Sequence, residues 1–437
     1  MTGMEKQDAF LEKWASGEGI PFVSDEAKAA YKYRATLVKD ALSLKKSPDR
    51  VPVLPIVTFA PAMMGGISGK QAMYDADAAG KCYLDFALKY APDGSGSPHL
   101  LSYGPALDAL DYNLYKWPGH GVADDLSYQF VEKEYMKAEE FDDLIADPTD
   151  FLLRKWMPRT AGNLKGLSQM ASVFNTIHLA FTAPFLVSLG APDMQKALYA
   201  LAEAGKTTFE WFQKLMPYMG QILAEGFPFY SGGATCAPFD VLSDSLRGTT
   251  QLMMDVYRRP EKVLEAMERL VPIMVNWGAN DAIANNNPLV FIPLHKGADG
   301  FMSNEQFEKF YWPTLDAVNH GLAERGCIPC LFVEGGYNQR LEFLLSASDI
   351  RIFYLFDRTD MKKAREILGG KVCIGGGYSI SQILTGDVQS ATDEAKRLLD
   401  DAMGDGGFIM SVGCAMDEGK EDTFRAMIET TKEYGKY

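Results

Sequence analysis

The chain has 437 residues, 47% of them hydrophobic, and a formal net charge of −15. That length supports an extensive core in one large domain or two medium ones. The acidic balance, with no basic runs beyond SLKKS (43–47) and DMKKAR (360–365), argues against a nucleic-acid partner. No apolar run is long enough to span a membrane, and the N-terminus MTGMEKQDAFLEKWASGEG is too polar for a signal peptide. Six irregularly spaced cysteines make no disulfide framework. These features predict a soluble cytoplasmic protein with reduced thiols.

Residues 1–49 read as a helical extension. DAFLEKWASG and SDEAKAAYKYRATLVKDALSL carry apolar residues at helical spacing, and Ser24-Asp25 supply a cap for the second helix. RVPVLPIVTF (50–59) reads as a buried strand, APAMMGGISG as the loop after it, and QAMYDADAAGKCYLDFALKYA as a helix. SPHLLSYG places a second strand near residue 100. A Pro-Gly turn between β-rich stretches then predicts an inserted hairpin, and a helical insertion follows over about 140–225.

From residue 226 short apolar strands alternate with amphipathic helices. The strands are FPFYSGG (227–233), PLVFIPLH (288–295), IPCLFVEG (328–335), IRIFYLFD (350–357), KVCIGGG (371–377) and GFIMSVGC (407–414). Six strands here and two before make eight, which predicts an α/β fold of the (β/α)8 TIM-barrel class spanning 50–437. An open doubly wound sheet is the alternative. No G-x-G-x-x-G opens a helix after the first strand, which disfavours a dinucleotide-binding version.

In such barrels the chemistry lies at the C-terminal strand ends. His295 ends the fourth strand, Glu334 the fifth, Asp357 the sixth and Cys414 the eighth. Imidazole, carboxylate and thiolate are the usual zinc ligands, and three of them with an open position mark a catalytic site. The bland readings stand beside this: a hydrogen-bonded structural histidine, a cysteine of the core, and a glutamate paired with Arg340 or Lys296. Glu334 is the most pointed of the three, because it ends an apolar strand where a buried charge is costly. Cys327-x-x-Cys330 has no second pair and does not read as a zinc ribbon; the strand register puts Cys330 in the barrel interior. Met63 and Met64 in the first loop read as packing or as an adaptable wall against an aromatic or planar ligand.

The stretches ADGFMSNEQFEKFYWPTL, GCIPCLFVEGGYNQRLEFL, FDRTDMKKAREILGGKVCIGGGYSISQILTGD and GGFIMSVGCAMDEGKEDTFRAMIETTKEYG follow one another in the order of the uroporphyrinogen decarboxylase superfamily. The resemblance covers residues 226–437 well and 50–110 loosely. It implies a TIM barrel with N-terminal helices, and either porphyrinogen decarboxylation or corrinoid-linked methyl transfer. Decarboxylases of the superfamily carry an arginine-rich loop after the first strand. Here that loop is FAPAMMGGISGK, with no arginine. The methyltransferase branch carries His-x-Cys-Gly after strand five and Gly-Cys after strand eight, both for zinc. This sequence keeps Gly413-Cys414, but has Phe332-Val333-Glu334-Gly335 in place of the first motif.

The resemblance therefore implies a remodelled zinc site of His295, Glu334 and Cys414. A harder ligand set suits an oxygen ligand, which points to the ether-cleaving methyltransferases of anaerobic O-demethylase systems. The expectation is methyl transfer from a methoxylated aromatic compound to a Co(I) corrinoid (cobalamin) on a partner protein. Tyr337, Asp357 and Tyr378 are candidates for orienting the substrate or protonating the leaving oxygen. Phe59, Met63, Met64 and Phe239 are candidates for the aromatic pocket. The alternatives are a decarboxylase using Asp357 or His295, a thiol or amine methyltransferase, and a non-catalytic corrinoid-binding module.

Overall fold

A computed structural model describes residues 1–98, 101 and 103–437. Helix α1 (Gly3–Ser16) starts at a capping box of Thr2 and Glu5, and α2 (Asp25–Ser43) starts where the Ser24 hydroxyl accepts from the Ala27 N–H. Along α2 the buried residues Tyr31, Ala35, Val38 and Leu42 fall on one face. That face meets Leu54, Ile56, Leu289, Cys330, Phe332, Phe353, Leu355 and Ile409, the inward side chains of the barrel. Gln7 reaches the strand starts as well, donating to the carbonyls of Cys327 and Arg351 and accepting from the Arg351 N–H. The N-terminal helices thus plug the bottom of the barrel, and the two cores are one.

A small sheet comes next. Strand β1 (Tyr115–Pro118) pairs with β2 (Gly121–Val122) and, antiparallel, with β3 (Gln129–Phe130), with Tyr115 opposite Phe130. This is the inserted hairpin. The insertion that follows is less helical than its sequence suggests. Residues 162–181 are short 3-10 turns, and the long helix is Pro192–Ala224. Gly162, Gly166, Pro184 and Gly190 interrupt the stretch before that helix.

The main sheet is parallel and six-stranded, in chain order: β4 (Gly233–Ala234), β5 (Leu289–Leu294), β6 (Ile328–Val333), β7 (Phe353–Phe356), β8 (Cys373–Gly376) and β9 (Phe408–Ile409). Two extended segments complete the circuit through isolated bridges rather than ladders. Val53 bridges Met410 and Val57 bridges Met416. Asp93 N–H donates to the Val53 carbonyl, and Ser95 bridges Phe229. Arg50 locks this side with a bidentate pair to Asp93 at 2.7 and 2.8 Å. The second strand expected over 97–104 falls partly on residues 99, 100 and 102, which lie outside the described residues. The extended segment sits earlier, near 93–97, and Gly104–Leu110 is a helix.

Glu140 fastens the insertion. Its carboxylate accepts from both Arg159 terminal nitrogens at 2.6 and 2.7 Å and from the Lys137 N–H at 2.7 Å. The Arg159 hydrogen bonds hold its pKa down at about 2 against the cost of its burial. A depressed carboxylate adds stability that is full above pH 4.5 and lost as pH falls through about 2. Glu140→Gln is therefore expected to cost on the order of 2 kcal/mol at pH 7, after discount for solvent screening at Arg159. Urea midpoints should show the deficit at pH 7 and show it closing toward pH 2. A variant as stable as the parent at pH 7 would disprove it.

Candidate active site at the barrel mouth

Strand parity builds the site. Along β6, Cys330 and Phe332 point into the barrel, so Glu334 two residues on continues the inward row. Leu289 and Phe291 set the same parity on β5, leading to His295; Phe353 and Leu355 set it on β7, leading to Asp357. Leu294 pairs with Val333 and Val333 with Phe356. One step further, His295, Glu334 and Asp357 come level. This explains a carboxylate after an apolar strand: Glu334 is the top of an inward row, at the point where the barrel opens. Gly335 then takes φ 81, the left-handed region that favours glycine. Its N–H donates to Asp357 at 2.9 Å.

His295 is the hub. Its Nε2 lies 3.8 Å from Glu334 Oε1, and its Nδ1 lies 2.5 Å from Asp244 Oδ2. Lys296 Nζ is 3.3 Å from the other oxygen of Asp244. The backbone N–H groups of His295 and Lys296 donate to the buried Asp240 carboxylate, which also accepts from Tyr311 OH at 2.7 Å. Burial raises the Asp240 pKa to about 6 against these hydrogen bonds and the charge of His295. Desolvation works against the His295 cation, but Asp244, Asp240 and Glu334 together lift it to about 9. Burial raises Glu334 in spite of His295. Burial, with Asp357, Asp417 and Glu334 nearby, pushes the Cys414 thiol to about 11.

Asp240 and Asp244 are not among the residues that the strand ends single out. They lie on Pro238–Asp240 and on the π-helix Val241–Leu246 that follows β4. Their spacing of four, one helical face just past a strand end, is the signal that points to them. The hairpin contributes a second unanticipated group. Tyr128 meets Phe59 edge-on at 5.5 Å and Tyr115 at 5.4 Å. Tyr115 lies within electrostatic reach of Asp244 and Cys236. Ser127 donates to Asp417 at 2.6 Å, while Thr58 donates to its other oxygen. Asp417 thus ties the hairpin to the first barrel segment across the mouth.

The remaining expected site residues scatter. Glu334 pairs with neither Arg340 nor Lys296 at salt-bridge distance; Arg340 is buried and donates to the Met302 carbonyl at 2.5 Å. Tyr337 is fully buried beneath the site, beside Gly297 and Tyr311. Tyr378 is also buried, and its hydroxyl donates to the Ala391 carbonyl. Phe239 packs on Tyr311 at 5.6 Å in the core, and Phe59 shows no surface beyond its contact with Tyr128. Met63 and Met64 are half-buried in the short helix Ala60–Met64.

The donor chemistry suits zinc at one pair. Nε2 of His295 faces Glu334 while a carboxylate holds Nδ1, the arrangement that fixes the tautomer of a metal-bound histidine. Among the described residues no group of three or more His, Cys, Asp or Glu side chains is gathered to hold a metal. Cys414, half-buried, is in electrostatic contact with Glu334 and Asp357.

Residues 221–434 match the family described as uroporphyrinogen decarboxylase (URO-D). Among solved structures, a methyltransferase from Methanosarcina mazei superimposes with a TM-score of 0.58 at 15% identity, over 92% of this chain and 98% of that one. That likeness is one of fold. A B12-independent methionine synthase from Shewanella sp. W3-18-1, in complex with selenomethionine, matches over 46% of this chain and 59% of its own at 14% identity. Its TM-score of 0.33 carries no argument. No curated protein matches the chain. Among the described residues no helix is long and apolar enough to cross a membrane.

Proposed function

We propose that this protein is a cytoplasmic, zinc-dependent methyltransferase that moves a methyl group from a methoxylated aromatic compound to the Co(I) corrinoid of a partner protein. The observation that carries the reading is the His295–Glu334 pair at the barrel mouth, backed by Asp244. His295 and Glu334 would hold the zinc, with Cys414 proposed as a third ligand although it is not gathered with them, and the metal would supply Lewis acidity toward the ether oxygen. Asp244 fixes the His295 ring. Asp240 fixes the backbone of His295 and Lys296 and so aims both side chains. Tyr115 and Tyr128 present an aromatic wall against which a planar ring stacks. Asp357, level with Glu334, is the candidate for orienting the substrate beside the departing oxygen. Tyr337 and Tyr378 are fully buried and would not touch the substrate.

The charge balance favours this reading over decarboxylation. Around His295 stand Asp240, Asp244 and Glu334, and the cation Lys296 is already paired. Arg358, beside Asp357, is 83% exposed and turned to solvent. A polycarboxylate substrate would meet mostly anions, whereas a metal ion would relieve them. The fold shared with a methyltransferase is compatible with methyl transfer, and the match to the URO-D family does not choose between the two reactions.

The test is metal analysis of protein purified without chelators, followed by transfer from a methoxybenzoate to Co(I) cobalamin. About one equivalent of zinc per chain and methylated cobalamin are expected. Protein that binds no zinc even when supplied, or that releases carbon dioxide from a carboxylic acid without corrinoid, would overturn the proposal.

A further inference from the structure

The aromatic wall of the mouth is bordered by carboxylates, which limits the rings that can lie against it. Tyr115 lies within electrostatic reach of Asp244. Tyr128 stands in the same relation to Asp417, the carboxylate that accepts from Ser127 of the hairpin at 2.6 Å and from Thr58. On the strand side, Glu334 and Asp357 top adjacent inward rows. Cys414 lies within reach of Asp357, Asp417 and Glu334 together. A flat ring laid on Tyr115 and Tyr128 is therefore met by acids at both tyrosines and along the strand ends.

The cations here do not balance these acids. Lys296 Nζ is 3.3 Å from Asp244 and 5.5 Å from the centre of the Phe301 ring. Arg358 Nε is 3.6 Å from Asp357 Oδ2, and its side chain is 83% exposed, so water and salt screen its charge. The carboxylates Asp240, Asp244, Glu334, Asp357 and Asp417 outnumber the positive charge of Lys296 and a divalent ion taken together. A carboxylate on the substrate ring would stand among like charges, beside cations that already have carboxylate partners.

Resting on the methyl transfer proposed above, the geometry points to a class of methyl donor: methoxyarenes that carry no carboxylate and are neutral or cationic elsewhere on the ring. The acidic border is the selecting element. It repels an anionic substituent and strips its hydration. A hydroxyl on the ring can instead donate to the same carboxylates, and an ammonium is drawn to them and to the tyrosine faces. A methoxybenzoate is then a slow substrate of the reaction rather than its preferred one.

The experiment is calorimetric binding of methoxybenzyl alcohol, methoxybenzylamine and methoxybenzoate to the full chain supplied with zinc, without corrinoid so that nothing turns over. The alcohol is expected to bind at least ~10-fold more tightly than the benzoate, and the amine at least as tightly as the alcohol. Rising ionic strength should narrow the gap. Asp357→Asn keeps the volume and the acceptor for the Gly335 N–H, and should narrow it by ~3-fold. If circular dichroism shows that variant unfolded, the salt series on the wild-type chain carries the same test. The proposal fails if the benzoate binds as tightly as the alcohol, if the gap ignores salt, or if none of the three binds. It also fails if tight benzoate binding is lost in Arg358→Ala, because Arg358 is then the receptor of a substrate carboxylate. Methyl transfer is judged separately, by methylated cobalamin. Transfer from the benzoate as fast as from the alcohol leaves that reading standing and sinks this one. Binding in the expected order with no transfer from any of the three sinks the methyl-transfer reading and leaves the charge selection standing.

Discussion

Under the proposed function, Glu334→Gln is expected to empty the proposed zinc site and abolish methyl transfer while leaving the fold intact. The substitution removes a ligand's charge without changing its volume. Glu334 is half-exposed at the mouth and takes part in no close hydrogen bond; its nearest polar partner is His295 at 3.8 Å. Burial already disfavours its charged form, so a neutral amide of the same volume adds no desolvation cost. Folding stability should therefore change by no more than about 0.5 kcal/mol. Zinc affinity should fall by about 100-fold or more, because the anionic donor is lost. Metal content, transfer rate to Co(I) cobalamin and urea midpoint measured on one preparation separate these effects. A folded Glu334→Gln protein with full zinc and full transfer rate would show that the residue has no part in the site.

Asp244→Asn should weaken zinc binding by about 10–100-fold, since carboxylates behind a metal-bound histidine raise its basicity and fix its tautomer. The pH dependence is the sharper readout. In the proposed site, zinc would have to displace the proton that Asp244, Asp240 and Glu334 hold on His295 up to about pH 9. Affinity should thus rise with pH and level off near 9. Without the Asp244 charge the imidazole pKa drops, so the plateau moves to lower pH and the loss in affinity is larger at pH 9 than at pH 6.5. The stability of the metal-free protein follows the opposite sign. A histidine whose pKa is raised on folding adds stability that is full below 6.5 and lost as pH rises through about 9. The parent's advantage over the variant should be on the order of 1 kcal/mol below pH 6.5, discounted because the His295 side chain is 38% exposed, and should vanish above pH 9. Isothermal titration across pH and denaturation without metal read the two curves. A plateau unmoved by the substitution would remove Asp244 from its role.

Much of the barrel is legible in the chain because its strands are short, apolar and separated by amphipathic helices. β5, β6, β7 and β8 fall within the stretches 288–295, 328–335, 350–357 and 371–377. The two N-terminal barrel segments are harder to read. RVPVLPIVTF contains two prolines, which cannot donate to a ladder, so it joins the ring by isolated bridges.

What the sequence by itself determined is local. Side chains alternate along a strand with period two, so apolar Cys330 and Phe332 already commit Glu334 to the barrel axis. The same parity brings His295 and Asp357 to that level. What only the tertiary structure decided is who meets these groups. Asp244 arrives from a π-helix fifty-one positions before His295. Tyr115 and Tyr128 come from a hairpin inserted over a hundred residues earlier in the chain, and the barrel floor is closed by α2 from the N-terminus. Such contacts join residues far apart in the chain through the closure of the whole ring, and strand and helix periodicity carries no record of them; the same closure turns Tyr337, Tyr378 and Phe239, which sit at strand ends or loops in sequence, inward to the core and away from the mouth.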